Sequence, residues 1–346
     1  MKRYLAMCLC FCLLAALCGC GTQMYYVPQT GINLNYNNIS AGGAVWFDND
    51  GIYYPSHDRL VLNIRSIDSS GKHRLTTADS TTSLQKHGDC LYWVDYALQP
   101  GVQKLMKYDL TAGKKTKVVE FTCDDVFECY LVGEYIYAMT STIDKYSHRY
   151  NAVMISVQTG DVVDIAKDIF ACGVHGDCFY YLVTSGSMMQ VYSYDINKRT
   201  SIPLGSFEPE LSISEYCYEW VNFTSDSVLF YSIADEESRI HRYDYLQDIY
   251  TTQPVSGFIY SLVAYDEYAF MLVNDQWDEE NEDMLSSLYH IELDLLSMER
   301  IDEGLRAYDD LFVTSDQDLY LFDSDEDKFY HYTGNGTKEE VTFRRK

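Results

Sequence analysis

The chain has 346 residues, with 26 Lys and Arg against 52 Asp and Glu, for a formal net charge of −26. A phosphate backbone is gripped by a basic stripe, which this sequence lacks, so composition argues against nucleic acid as a partner. With 32 Tyr and 15 Phe against 6 Pro, and no sustained apolar period of 3.6 beyond residue 20, it also argues against helices and for pleated strands.

The first 20 residues stand apart. Lys2 and Arg3 precede an apolar run from Tyr4 to Leu17, which has the length of a signal peptide and is too short to span a bilayer. The run ends in Leu17-Cys18-Gly19-Cys20, which resembles a bacterial lipobox, with Leu three residues before the acceptor and Gly just before it. On this reading 1–19 is a signal peptide with its lipobox at 17–20, Cys20 is the lipidated mature N-terminus, and the uncharged, Asn-rich residues 20–40 are a tether. The expected location is the outer face of the cell membrane, held by the lipid. An ordinary cleaved signal whose cysteines add only hydrophobicity is the alternative. Tyr25-Tyr26-Val27 could add a strand to the last repeat.

Of the 11 cysteines, Cys8, Cys10, Cys12, Cys18 and Cys20 belong to this leader. Cys90, Cys123, Cys129, Cys172, Cys178 and Cys217 remain, and their spacing matches no disulfide scaffold, so free buried thiols are expected. Cys129 and Cys172 precede their repeats' anchors by the same distance and could face each other.

From residue 41 to 346 one unit recurs. Its clearest copies are His87-Gly88-Asp89-Cys90-Leu91-Tyr92-Trp93 and His175-Gly176-Asp177-Cys178-Phe179-Tyr180-Tyr181, with looser anchors at Ile52, Ile136, Leu229, Ala269 and Leu319. The seven anchors are spaced by 39, 45, 43, 50, 40 and 50 residues, the size of a four-stranded blade. A polar pair precedes each: Asn49-Asp50, Gly88-Asp89, Gly133-Glu134, Gly176-Asp177, Asp226-Ser227, Asp266-Glu267 and Asp316-Gln317. Such residues tolerate positive φ or bond their own backbone, which predicts tight hairpins. Third strands end in an apolar residue and Asp, as in Ile67-Asp68, Tyr108-Asp109, Tyr194-Asp195, Tyr243-Asp244 and Leu293-Asp294. Seven units stacked radially bury both faces and leave no long open edge, so the expected fold is an all-β propeller of seven four-stranded blades, with six or eight as alternatives.

The run Val45-Trp46-Phe47-Asp48-Asn49-Asp50-Gly51-Ile52-Tyr53-Tyr54 and the Gly-Asp-x-apolar-Tyr anchors resemble the domain-of-unknown-function β-propellers of bacterial lipoproteins. More distantly they are similar to TolB-like propellers, although the Ser-Pro-Asp-Gly turns of that group are missing. The resemblance implies a fold and no chemistry.

His, Asp and Cys in the twin segments are metal ligands or catalysts elsewhere, but an intervening repeat separates the copies and the others do not keep the His, so a hairpin is the better reading. No Gly-x-Ser-x-Gly, Walker, Rossmann, His-Glu-x-x-His or Cys-x-x-Cys motif is found, and no catalytic residue, cofactor or firm metal site is expected. Asp323, Asp325 and Asp327 form a weak calcium candidate that lacks the glycine and glutamate of a calcium loop. The acidic insertion with Trp277, Asp278 and Glu279 is the candidate partner contact, its Trp expected at an exposed rim. The sequence thus points to a non-enzymatic binding or scaffolding lipoprotein for an envelope protein or polysaccharide. The alternative is a glycan hydrolase or lyase with carboxylates near the central channel.

Overall fold

In the computed structural model the described residues run from 45 to 341, apart from 49–50, 59–60, 69, 80, 97–101, 122, 124, 144–147, 210–216, 235–236, 266, 280–282, 307–309, 316–317, 324–325 and 333–336. They form 28 strands in seven antiparallel four-stranded sheets, each made of consecutive strands. Blade one is Trp46–Asp48 (β1), Gly51–Asp58 (β2), Val61–Asp68 (β3) and Gly71–Ala78 (β4). Blade two is Thr82–His87 (β5), Cys90–Tyr96 (β6), Gln103–Asp109 (β7) and Lys114–Phe121 (β8). Blade three is Asp125–Val132 (β9), Tyr135–Ile143 (β10), His148–Ser156 (β11) and Val162–Lys167 (β12). Blade four is Ile169–His175 (β13), Cys178–Ser185 (β14), Met188–Asp195 (β15) and Thr200–Phe207 (β16). Blade five is Cys217–Phe223 (β17), Ser227–Ala234 (β18), Glu237–Asp244 (β19) and Ile249–Val255 (β20). Blade six is Phe258–Tyr265 (β21), Tyr268–Asp278 (β22), Asp283–Glu292 (β23) and Ser297–Arg306 (β24). Blade seven is Asp310–Ser315 (β25), Asp318–Asp323 (β26), Lys328–Tyr332 (β27) and Lys338–Glu340 (β28).

The first strands of successive blades, from β1 to β25, lie side by side and so surround the axis. Because the strands alternate in direction, all hairpins joining first to second and third to fourth strands lie on one rim. The second-to-third and blade-to-blade connections lie on the other. Apolar side chains alternate along each strand and pack face to face between blades. Leu131, Ile136 and Val153 of blade three, for example, meet Tyr92, Val94 and Leu105 of blade two. Each such buried side chain contributes about 1.5–3 kcal/mol relative to exposure.

The anchors open the second strands, as the sequence predicts, with one correction. In five blades the anchor pairs with the residue two before the hairpin pair, as Ile52 does with Phe47 and Ile136 with Leu131, and in blade seven a register shift pairs Leu319 with Val313, three before it. In blade five that position belongs to Val228, opposite Phe223, so the repeat starts one residue earlier than Leu229 and the turn is Ser225-Asp226. Thr224 fixes the register: its N–H donates to the Ser227 carbonyl at 2.9 Å and its hydroxyl lies 2.8 Å from the Asp226 carboxylate. In the twin hairpins Gly88 and Gly176 hold φ of 55° and 58°, a left-handed conformation that explains glycine there.

The repeated Asp after the third strand serves the turn. Asp195 Oδ1 accepts the N–H groups of Asn197 and Lys198 at 3.0 Å, and Asp244 Oδ1 accepts those of Leu246 and Gln247 at 3.0 and 2.8 Å. In blade six the equivalent residue is Glu292, opposite Ser297, and the predicted Asp294 lies two positions on in the turn.

The ring closes without strand exchange among the described residues: blade one supplies four strands of its own, and so does blade seven. Their junction is aromatic. Phe47 lies 5.6 Å from Phe312 and 5.0 Å from Tyr320 between ring centroids, and Tyr54 meets Phe329 edge-on at 5.0 Å. Lys72 crosses the junction to the Asp327 carboxylate and to its carbonyl oxygen, the latter at 2.9 Å. The signal peptide, Cys20, the tether and the strand expected from Tyr25-Tyr26-Val27 lie outside the described residues.

Candidate functional site

The twin His-Gly-Asp-Cys segments occupy equivalent hairpins of blades two and four, with blade three between them. His87 is exposed, His175 half-buried, and the next residues are the turn itself. Cys90, Cys123, Cys129, Cys172 and Cys178 are all free thiols. Cys129 packs against blade two and Cys172 against blade three. The two come near enough for Cys129 to help raise the Cys172 thiol's pKa, after burial and Glu128, and both remain free thiols.

Among the described residues no group of three or more His, Cys, Asp or Glu is arranged to hold a metal. Of the calcium candidates, Asp323 is buried and its Oδ1 accepts the Glu326 N–H at 2.9 Å. Asp327 is occupied by Lys72, whose ammonium stands where a cation would have to be. Asp325 lies outside the described residues.

Two inner-strand residues carry a pattern that the sequence reading missed. Gln85 of β5 donates to the Cys129 carbonyl and accepts the Leu131 N–H of the next inner strand, both at 2.5 Å. Asn222 of β17 does the same three blades later, donating to the Leu262 carbonyl at 3.1 Å and accepting the Ala264 N–H at 3.3 Å. Each amide stands three residues before its hairpin pair and takes the place of a ladder bond between blades. That shared offset was the available signal.

Glu128 of β9 lies on the innermost strand of blade three, with part of its side chain still solvent-accessible. Burial of its carboxyl pushes the pKa from 4.5 up to about 7, partly offset by the Tyr130 hydroxyl, which donates to Oε2 at 2.8 Å, and the Cys172 thiol at 3.6 Å. In blade five, His241 is fully buried between the Ser232 hydroxyl and the Tyr250 hydroxyl, each 2.7 Å away, and stacks on Phe230 at 4.8 Å. Burial, aided by Arg239, drives its pKa down to about 3, so it stays neutral, and no substrate reaches it. Arg242 next to it is nearly buried and faces three carboxylates, Asp244 at 3.1 Å, Asp226 at 3.6 Å and Asp294 of blade six at 3.8 Å. These are ties within and between blades.

Blade six differs from the others. Its central hairpin is the longest, with 11 residues in β22 and 10 in β23. The acidic insertion expected as a loop is therefore largely strand: Trp277 pairs with Met284 and Asp278 with Asp283. A bulge at Asp275 adds one residue to β22. Its carboxylate is fixed inward by the Ser287 hydroxyl at 2.9 Å and the Tyr289 hydroxyl at 3.3 Å, while Ser286 donates to Asn274 Oδ1 at 2.6 Å. Gly257 lies against this bulge with φ of 111°, and a Cβ there would come 2.8 Å from the Asn274 carbonyl. Beyond the bulge Trp277 stands out, 59% exposed, followed by half-buried Asp278 and exposed Glu279. Phe258 and Tyr260, at the start of β21, are 48% and 39% exposed at the same end of the blade. Three large aromatic side chains are thus exposed at one end of this sheet rather than packed in the core.

No family model matches the chain, and no curated protein sequence matches it. Solved structures do. The β-propeller domain of the Trilobed protease from Pyrococcus furiosus, described as having an open velcro topology, is similar at TM-score 0.57 and 9% identity over 87% of this chain and 96% of that one. A protein from Lactobacillus plantarum is similar at TM-score 0.55 and 9% identity over 85% and 95%. The tricorn protease is similar at TM-score 0.54 and 12% identity, over 89% of this chain but 35% of its own. At such identities the likeness shows the fold alone: a seven-bladed β-propeller.

Proposed function

We propose that this protein is a lipid-anchored, non-enzymatic binding module of the bacterial cell envelope, held by Cys20 at the outer face of the membrane, and that it engages an envelope protein or polymer through the open end of blade six. The carrying observation is the set of exposed rings Trp277, Phe258 and Tyr260 on a hairpin that outgrows its neighbours. Exposed aromatic anchors dominate binding energy where they are found in interfaces. Two experiments test this. A photocrosslinking amino acid in place of Trp277 should give a discrete adduct in intact cells, and one in place of Leu246, exposed on the opposite rim, should not; equal labelling sinks the reading. Replacing Cys20 with Ala should release the protein from membranes, and unchanged retention refutes the anchor.

The enzymatic reading keeps one supporting observation, the near-neutral carboxyl of Glu128 on an inner strand. Acid–base hydrolysis of a glycan needs two carboxyl groups about 5–9 Å apart. Glu128 is instead bonded to a phenol and a thiol.

A further inference from the structure

The face of blade one that meets blade seven carries a row of three polar side chains set by strand pairing. Tyr54 of β2 pairs with Arg65 of β3, and Arg65 pairs with Arg74 of β4. Cross-strand partners share a face of the sheet, so the row runs outward from a buried phenol through a half-buried guanidinium to an exposed one. Lys72, two residues before Arg74, places its ammonium 5.5 Å from the centre of the Tyr54 ring and reaches across the seam to Asp327.

In a chain with 52 acids against 26 bases, this pair of guanidinium groups is left unneutralised. Arg65 and Arg74 form no ion pair and no hydrogen bond with a described residue. Like charges directly opposite each other destabilise a sheet. Three buried atoms beside them also lack a well-formed hydrogen bond: Arg65 Nε, the Tyr54 hydroxyl, whose residue is 0% exposed, and Asp327 Oδ1. They are neighbours, because Asp327 helps burial to raise the Tyr54 pKa while Arg65 lowers it. Lys72 holds Asp327 by its other oxygen, Oδ2. Buried polar atoms left without partners call for a ligand that supplies them.

The donors and acceptors select that ligand. A water molecule could bridge the three atoms but would leave two positive charges opposite each other. A carboxylate or a sulfate brings negative charge and acceptors for the guanidinium and phenol groups, yet has no proton to give to Asp327. A phosphate group that keeps one proton has all three properties, and guanidinium forks match its oxygens.

We propose that the seam between blades one and seven is a binding site for a hydrogen phosphate group, with Arg65, Arg74 and the Tyr54 hydroxyl donating to its oxygens and Asp327 Oδ1 accepting its proton. The ligand would tie the first blade to the last, so its binding strengthens the closure of the ring. The site is remote from blade six and stands independently of the contact surface proposed there.

The test titrates the mature full chain calorimetrically with inorganic phosphate, sulfate and acetate at a pH of about 7.5, where phosphate is mostly a dianion with one proton left. Phosphate is expected to bind, and sulfate about tenfold more weakly because Asp327 then faces an oxygen with no proton. Arg74→Gln, at an exposed position where the fold is safe, should weaken phosphate about tenfold, and Arg65→Lys, which keeps the charge but loses the fork, should do the same. Asp327→Asn should bring phosphate and sulfate within about threefold of each other. Phosphate should raise the urea midpoint of the wild type and leave that of Arg74→Gln nearly unchanged. Glycerol 1-phosphate separates the sources: affinity equal to that of phosphate assigns the site to a phosphomonoester end of a lipid or polymer, and a loss of about tenfold or more assigns it to the free ion. No phosphate binding below about 10 mM overturns the proposal. So does sulfate binding as tightly as phosphate, or an equal rise of the urea midpoint in wild type and Arg74→Gln, which is what general exclusion of phosphate from protein surfaces would give.

Discussion

Two junctions of the ring are built on different principles. Blades two and three follow one another in the chain and are stitched by Gln85, whose amide bonds both a carbonyl and an N–H of the neighbouring inner strand. Blades seven and one meet where the chain has no continuity, and they are held by Phe47, Tyr54, Phe312, Tyr320 and Phe329 with the Lys72–Asp327 ion pair. Directional bonds suit neighbours whose register the chain already limits. A seam between distant segments relies on apolar area, which tolerates small misalignment and is realised once the last blade is in place.

The contrast can be broken at the seam first. Phe47→Ala, at a position 1% exposed, should cost about 3–5 kcal/mol and lower the urea midpoint of the whole ring. A loss below about 1 kcal/mol would mean that aromatic packing does not hold the seam closed. Gln85→Leu should cost about 2–4 kcal/mol by leaving the Cys129 carbonyl and the Leu131 N–H buried without their partner. Asn222→Leu should behave alike, and a neutral result in both would make the amide stitches ornamental.

The junction of blades three and four offers a pH test. Between pH 4.5 and about 7 the folded Glu128 carboxyl holds a proton that the unfolded chain gives up. The resulting stability is present below pH 4.5 and lost as pH rises through about 7. Wild type should therefore lose about 2–3 kcal/mol relative to Glu128→Gln on going from acid to pH 8, read from urea midpoints. Parallel pH profiles for the two proteins would contradict the assignment. The smallest effect belongs to Lys72→Met at the seam: the pair with Asp327 is about one-third exposed on each side, so less than about 1 kcal/mol is expected, and that part should fade with salt.

The blade count and six of the seven anchors were legible because a hairpin imposes its turn chemistry and its period on the chain. Blade five slipped by one because Val228-Leu229-Phe230-Tyr231 is apolar throughout and Ser225-Asp226 and Asp226-Ser227 read equally well as turns. Only the Thr224 bonds decide between them. Trp277 was legible as an exposed residue but not as a strand residue, since a run of carboxylates reads as a loop when its backbone partner cannot be seen. Gln85 and Asn222 were passed over because single amides in apolar strands carry no local motif. His241 likewise meets Ser232 and Tyr250 only through sheet register.

The fixed hairpin rim has a consequence for how such a ring can change. Six of the seven first-to-second connections span two residues, as from Asp48 to Gly51 and from His87 to Cys90, and that of blade five, from Phe223 to Ser227, spans three. Lengthening one would twist its blade against both neighbours. Between Phe207 and Cys217 on the opposite rim the chain already carries nine residues, and between Lys167 and Ile169 it carries one. On the hairpin rim the third-to-fourth connections run only from two to five residues, so new material accumulates more readily on the opposite side, and the long hairpin of blade six grows from it.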